Sequence, residues 1–200
     1  CALAWFGVSF IFPDWKFRRL SRTINRSLTA QCNYLAEVAE QYKYGRNNGL
    51  KYRVIRRAAH NNDAEVASLI STLATEPDFD PTQKSLAFEF LCLNHTLLSY
   101  IAALGAHREK IEDQEVLTLL DLAVENIQGS LLKDEVPDLN AQNMLDTIRQ
   151  RLSSNNKDDQ KALIVLQQLS LMLSILNQLS RLKQSLSHDR DDKATELASL

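Results

Sequence analysis

The densest group of residues able to do chemistry is Arg56-Arg57-Ala58-Ala59-His60-Asn61-Asn62-Asp63. Two guanidiniums, an imidazole, two amides and a carboxylate fall within one short stretch. Arg56, Arg57, His60, Asn61 and Asp63 could bind an anion or line a polar interface. A solvated or membrane-facing helix surface uses the same residue types. The histidines, at 60, 95, 107 and 188, show neither HExxH spacing nor a cysteine partner at finger-type spacing, so no metal site is assigned. His95, on an apolar stretch, reads as a satisfied core histidine. Cys1, Cys32 and Cys92 form no CxxC pair and leave an odd count, which argues against a disulfide framework. Cys32 and Cys92 sit in apolar helical patterns and read as buried small hydrophobes of a reducing compartment. No GxSxG, Walker-type loop or GxGxxG occurs, and the carboxylates are scattered without an acid–base pairing. The chain is therefore expected not to be an enzyme, with no catalytic residue and no cofactor.

The elements that position these groups are helical. In 200 residues, 44% hydrophobic and 24% charged, only five glycines and four prolines occur. That is too little turn material for a β-sandwich or a phosphate-cradling loop. The fold class expected is all-α, a bundle of about six helices with the end of a transmembrane helix at its N-terminus.

Residues 1–12 (CALAWFGVSFIF) are apolar and uncharged, but they reach only about 18 Å as a helix against a bilayer core of about 30 Å. They are read as the end of a membrane span begun upstream, since the run ends in bulky Ile11 and Phe12, unlike a secretory signal. Trp15 and Phe17 follow at headgroup level, with Lys16, Arg18, Arg19, Arg22 and Arg26 as a positive-inside flank. Residues 1–60 hold eleven Lys/Arg against three Asp/Glu, net +8, while residues 61–200 hold twelve against twenty-two, net -10. The overall charge of -2 hides this asymmetry. Such a basic flank suits a lipid bilayer with anionic lipids. Nucleic acid is the competing partner for a basic stretch, but Tyr34, Tyr42, Tyr44 and Tyr52 have spacings that fit helix packing as easily as base stacking, and no nucleic-acid partner is expected.

From Asp14 to Tyr44, Phe17, Leu20, Ile24, Leu28, Leu35, Val38 and Tyr42 recur at mostly three and four residue steps and predict one long amphipathic helix. Gly45 to Gly49 breaks it. A second helix follows from about Leu50 to Thr75, with Asn61-Asn62-Asp63 as an interruption or a fresh N-cap. The third runs from about Thr82 to His107. Its apolar stretch from Leu86 to Leu104 predicts the most buried helix, and Glu89, Asn94, His95 and Ser99 favour a core helix over a span. A fourth runs through Val116 to Leu131, Pro137-Asp138 marks a stop, and a fifth covers about Asn140 to Leu152. The last, about Gln160 to Leu186 and capped by Asp158 or Asp159, repeats leucine at 163, 166, 169, 173, 176, 179, 182 and 186. This seam either packs along the bundle or makes a homo-oligomer. The domain reading is 1–13 span end, 14–187 cytoplasmic bundle and 188–200 polar tail.

The segments CNYLAEVAEQYKYGRNN (Cys32 to Asn48), YRVIRRAAHNNDAEVASLISTLATEPDFDP (Tyr52 to Pro81) and FLCLNHTLLSYIAALGAHRE (Phe90 to Glu109) resemble the YccS/YhfK-type bacterial inner-membrane proteins. These are part of the fusaric-acid-resistance superfamily, which includes aromatic carboxylic acid exporters. The resemblance covers most of the chain and weakens over the tail. It implies the C-terminal cytoplasmic region of an efflux-type inner-membrane transporter, with an assembly or regulatory role and no substrate-binding residue in this stretch. The alternative is a soluble or peripheral helical protein-interaction module.

Overall fold

The computed structural model describes residues 13–46, 48–77, 79–133, 139–154 and 160–188. The three-and-four spacing after Asp14 becomes a 32-residue helix, α1 (Pro13–Tyr44). Its apolar stripe, Leu20, Ile24, Leu28, Leu35, Val38 and Tyr42, is wholly buried, while Arg19, Arg22, Arg26 and Asn33 face out. Gly45, at a φ of 81°, ends it in the left-handed turn that closes many helices, with its N–H on the Gln41 carbonyl (2.9 Å). Asn48 then caps α2 (Gly49–Ala74), its side chain accepting from the Lys51 N–H (3.2 Å).

α2 runs through Asn61-Asn62-Asp63 without interruption, contrary to the break or new cap expected there. The reason is tertiary. Asn62 bonds back to the Ala58 carbonyl one turn earlier (2.7 Å), and the Asp63 carboxylate is taken by α3 rather than by its own backbone.

α3 (Pro81–Ala106) starts at Asp80, whose carboxylate accepts from the N–H groups of Thr82 and Gln83 (3.0 Å each), with Pro81 in the first turn. It is not the most buried helix. Phe88 and Cys92 are exposed, and Leu86, Leu91 and Leu93 are half-buried. Cys92 is thus a surface thiol rather than a core residue. An almost continuous apolar run is wider than the face α2, α1 and the last helix can cover, so part of it meets solvent. The helix at the centre is α1, packed against α2, α3, α4 and α6.

α4 (Gln114–Leu132) is capped by Asp113, which accepts from the N–H groups of Glu115 and Val116. α5 (Leu139–Ser154) returns to it through Arg151, paired with Asp113 (3.2 Å) and Glu115 (3.0 Å). α6 (Gln160–His188) lays its leucine seam against α3, α4 and α5. Leu166, Leu169, Leu173, Leu176, Leu179, Leu182 and Leu186 are buried and Leu163 is half-buried, so the seam packs within this chain. Among the described residues the architecture is an all-α bundle of six helices, with no strand.

By length and composition α3 and α6 are each long and apolar enough to cross a membrane, a measure that core helices also meet. Both carry polar groups whose partners lie inside the bundle: Asn94 on α3, and on α6 Ser180 and Lys183, which donate to the carbonyls of Ser130 (3.3 Å) and Leu131 (2.8 Å). The expected span end at residues 1–12, the stop at Pro137-Asp138, the caps at Asp158 or Asp159 and the tail beyond His188 lie outside the described residues.

Candidate functional site

The predicted cluster on α2 is divided by the helix that carries it. Arg56, Arg57, His60 and Asn61 are exposed, whereas Asp63 is buried and points into the bundle. Its Oδ1 accepts from the Asn94 amide (2.7 Å) and its Oδ2 meets His95 Nδ1 (2.9 Å). The same Asn94 amide donates to the buried Ser27 hydroxyl on α1 (3.2 Å), and Gln31 donates to the Asn94 carbonyl (3.3 Å). The carboxylate ties α2 to α3, and Asn94 carries the tie on to α1. The His95 ring is 68% exposed and anchored only along its edge, so it is a surface histidine braced by a buried acid rather than a core residue. The sequence does not single out Asn94 as the partner of Asp63, or Gln31 as the partner of Asn94; the signal available is an Asn-His pair interrupting an apolar helix.

A second polar knot lies further along α1, toward its C-terminal end. Tyr34 and Tyr52 hydroxyls meet at 2.9 Å, Tyr52 also donates to the Gly105 carbonyl (3.4 Å), and Tyr42 donates to the Leu104 carbonyl (2.8 Å). The Arg108 guanidinium stacks 3.7 Å from the Tyr52 ring centre and donates to Gln41 (2.7 Å). Burial holds the phenols of Tyr34 and Tyr42 above the usual tyrosine range, reinforced at Tyr34 by the hydrogen bond to Tyr52. Ion pairs fasten the outside: Lys43 donates to Asp121 and Lys51 to Glu37, which holds both ammoniums above their ordinary value, and the hydrogen bond that Glu109 accepts from Lys161 holds its carboxyl below its own.

Along the outer face of α2, Leu50, Arg53, Val54, Arg56, Arg57 and His60 line an open basin of about 460 Å³. Arg53 bonds its own helix at the Gly49 carbonyl (3.2 Å). Of the predicted basic flank, Arg19, Arg22 and Arg26 are exposed on α1, and Arg26 is spent on Glu65 of α2 (3.3 Å). Trp15, Lys16, Phe17 and Arg18 lie in the first turns of α1, and their side chains are outside what the structure describes. The structure brings that flank to α2 at Arg26 and Glu65, two residues past Asp63, whereas His60, earlier on α2, stands beside Tyr34, about 12 Å further along α1. Among the described residues no three His, Cys, Asp or Glu side chains gather where a metal ion could sit.

The molecule is an α-helical bundle whose central helix exposes Arg19 and Arg22 near its start and which is locked by internal polar ties. Comparison with known proteins narrows it. Over 188 residues, 94% of this chain, it is 42% identical to the inner membrane protein YccS of Escherichia coli (strain K12). It is also 37% identical over 112 residues to an uncharacterized protein of Haemophilus influenzae, and 33% over 119 residues to an uncharacterized protein, ORF2, of Neisseria gonorrhoeae. These matches cover 56% and 59% of this chain. Identity at this level along nearly the whole chain shows a YccS-type membrane protein, as the resemblance of Cys32 to Glu109 implies. The chain spans 26% of YccS, 16% of the Haemophilus protein and 28% of the Neisseria protein. No family model matches it. No solved structure matches it either.

Proposed function

We propose that this chain is the cytoplasmic helical region of an efflux-type inner-membrane protein of the fusaric-acid-resistance kind, serving to assemble or regulate the membrane part. The observation that carries the reading is the long central helix α1, which starts on exposed Arg19 and Arg22 and becomes the core around which the other helices pack. A helix built that way couples whatever precedes it mechanically to the bundle. Its contacts are with lipid headgroups at its start and with other protein surfaces beyond, rather than with nucleic acid, and its role is structural rather than catalytic. The net +8 of residues 1–60 supports the cytoplasmic side, because cations flank spans on that side.

The test uses the full-length protein and its own thiols. With Cys1 and every thiol outside this stretch replaced by serine, exposed Cys92 is the reactive site and buried Cys32 is not. A membrane-impermeant maleimide is expected to label Cys92 in inside-out vesicles and not in intact spheroplasts, while the protein stays in the pellet through carbonate and high-salt washes. Labelling in spheroplasts overturns the cytoplasmic placement. Release by salt alone gives the peripheral interaction module instead.

A further inference from the structure

The three most exposed large apolar residues among those described are Tyr44 (69%), Leu50 (66%) and Val54 (60%), and all lie at the α1–α2 corner. Scattered exposed apolar side chains need no explanation, but a cluster does. Around it stand Arg53, Arg56 and Arg57, none of which forms an ion pair among the described residues, although most other cations of this region do: Arg26, Lys43, Arg46 and Lys51 each have an acidic partner. Leucine and valine between unpaired arginines, over an open basin and not a shaped pocket, is the composition of a surface that meets anionic headgroups with its cations and the acyl boundary with its aliphatic groups.

We propose that the outer face of α2, Leu50, Arg53, Val54, Arg56 and Arg57, docks on an anionic lipid bilayer. Charge complementarity selects the occupant. The first sixty residues, which include this face, carry net +8 and the rest net -10, so a negative surface attracts this face. The inference rests on the reading that the chain sits beside a membrane. It adds an orientation: about 38 Å of α1 separates Arg19 from Tyr44 at this corner, so both meet one bilayer only when α1 lies along the surface.

The experiment takes the whole chain, with Cys1→Ser, Cys92→Ser and Val54→Cys, carries an environment-sensitive fluorophore on residue 54, and reconstitutes it into vesicles of 30% phosphatidylglycerol in phosphatidylcholine or of phosphatidylcholine alone. The label is expected to shift to the blue and to be quenched by brominated lipid in the anionic vesicles only. Arg53→Gln/Arg56→Gln/Arg57→Gln should lower the docked-to-free ratio on the order of 100-fold, at about 1 kcal/mol per cation, and the triple lysine variant should keep most of it. A label at exposed Glu125 on α4 serves as the control and should stay unquenched. Equal, unquenched emission in both vesicles overturns the proposal while leaving membrane integration, read separately by carbonate extraction, untouched. A blue shift that depends on the arginines but is insensitive to brominated lipid also overturns it, assigning the face to an acidic protein surface.

Discussion

Replacing Gly105 with alanine tests whether the tyrosine knot is packed as tightly as the structure has it. A Cβ at that position would stand 2.9 Å from the hydroxyls of both Tyr34 and Tyr52 and 3.2 Å from Val38 Cγ2. Tyrosine ends can ordinarily swing aside. Here Tyr34 is fully buried and Tyr52 nearly so, the two hydroxyls are bonded to each other, and Arg108 covers the Tyr52 ring. Overpacking of this kind is worth about 1–3 kcal/mol against folding, and loss of the tyrosine hydrogen bond adds about 1. Alanine regains about 1 kcal/mol in helix propensity. The expected net is a loss of about 2 kcal/mol, or a fall in Tm of about 4–8 °C for a chain of this size, read by circular dichroism at 222 nm under one buffer condition for all variants. Tyr52→Phe in the same chain removes one of the two clashing oxygens, so the double variant should recover part of the loss relative to the sum of the single changes. A Gly105→Ala chain as stable as the parent, or more so, refutes the reasoning, because helix propensity would then have prevailed over a clash that was not real.

Asp63→Ala should lower stability by about 2–4 kcal/mol by leaving the Asn94 amide with only Ser27 and freeing His95, and Asp63→Asn should be milder; equal effects in urea melts would show that the carboxylate is not the tie. Leu169→Glu and Leu176→Glu should unfold the chain, since both leucines are buried within it, and a folded variant of lower sedimentation mass would assign the seam to pairing between copies. Burial pushes the Cys32 thiol from 9.0 up to about 12 and raises Tyr34 and Tyr42 as well. Folded-state values above unfolded ones mean that this stabilisation is complete below about pH 9 and is lost as pH rises toward 12, so thermal melts should fall over that window, less steeply in Cys32→Ala. At pH 8, with Cys1 and Cys92 replaced, Cys32 should react with a disulfide probe at least tenfold more slowly than an ordinary thiol, and fast reaction without denaturant would contradict its burial.

Periodicity and caps determined the helices themselves. Apolar residues three and four apart, the glycine at 45, and aspartates at 80 and 113 are local signals, acting within one or two turns, and they set element type and boundaries almost residue by residue. The same order carried the resemblance that sequence identity then upheld. What the sequence could not decide was which face of each helix the others would cover. Asp63 reads as a break when its neighbours in the chain are all that is known; it is a buried tie because α3 brings Asn94 and His95 to it from more than thirty positions away. Cys92 and Phe88 read as core in a run that is apolar on every side, and only the docking of α1 and α6 leaves them outside. The α2 cluster likewise separated into one buried carboxylate and an exposed basic face once α1 and α3 were in place. Local propensity is settled by the backbone's own hydrogen bonds, whereas burial and polar pairing depend on contacts between segments far apart in sequence, and those exist only in the folded bundle.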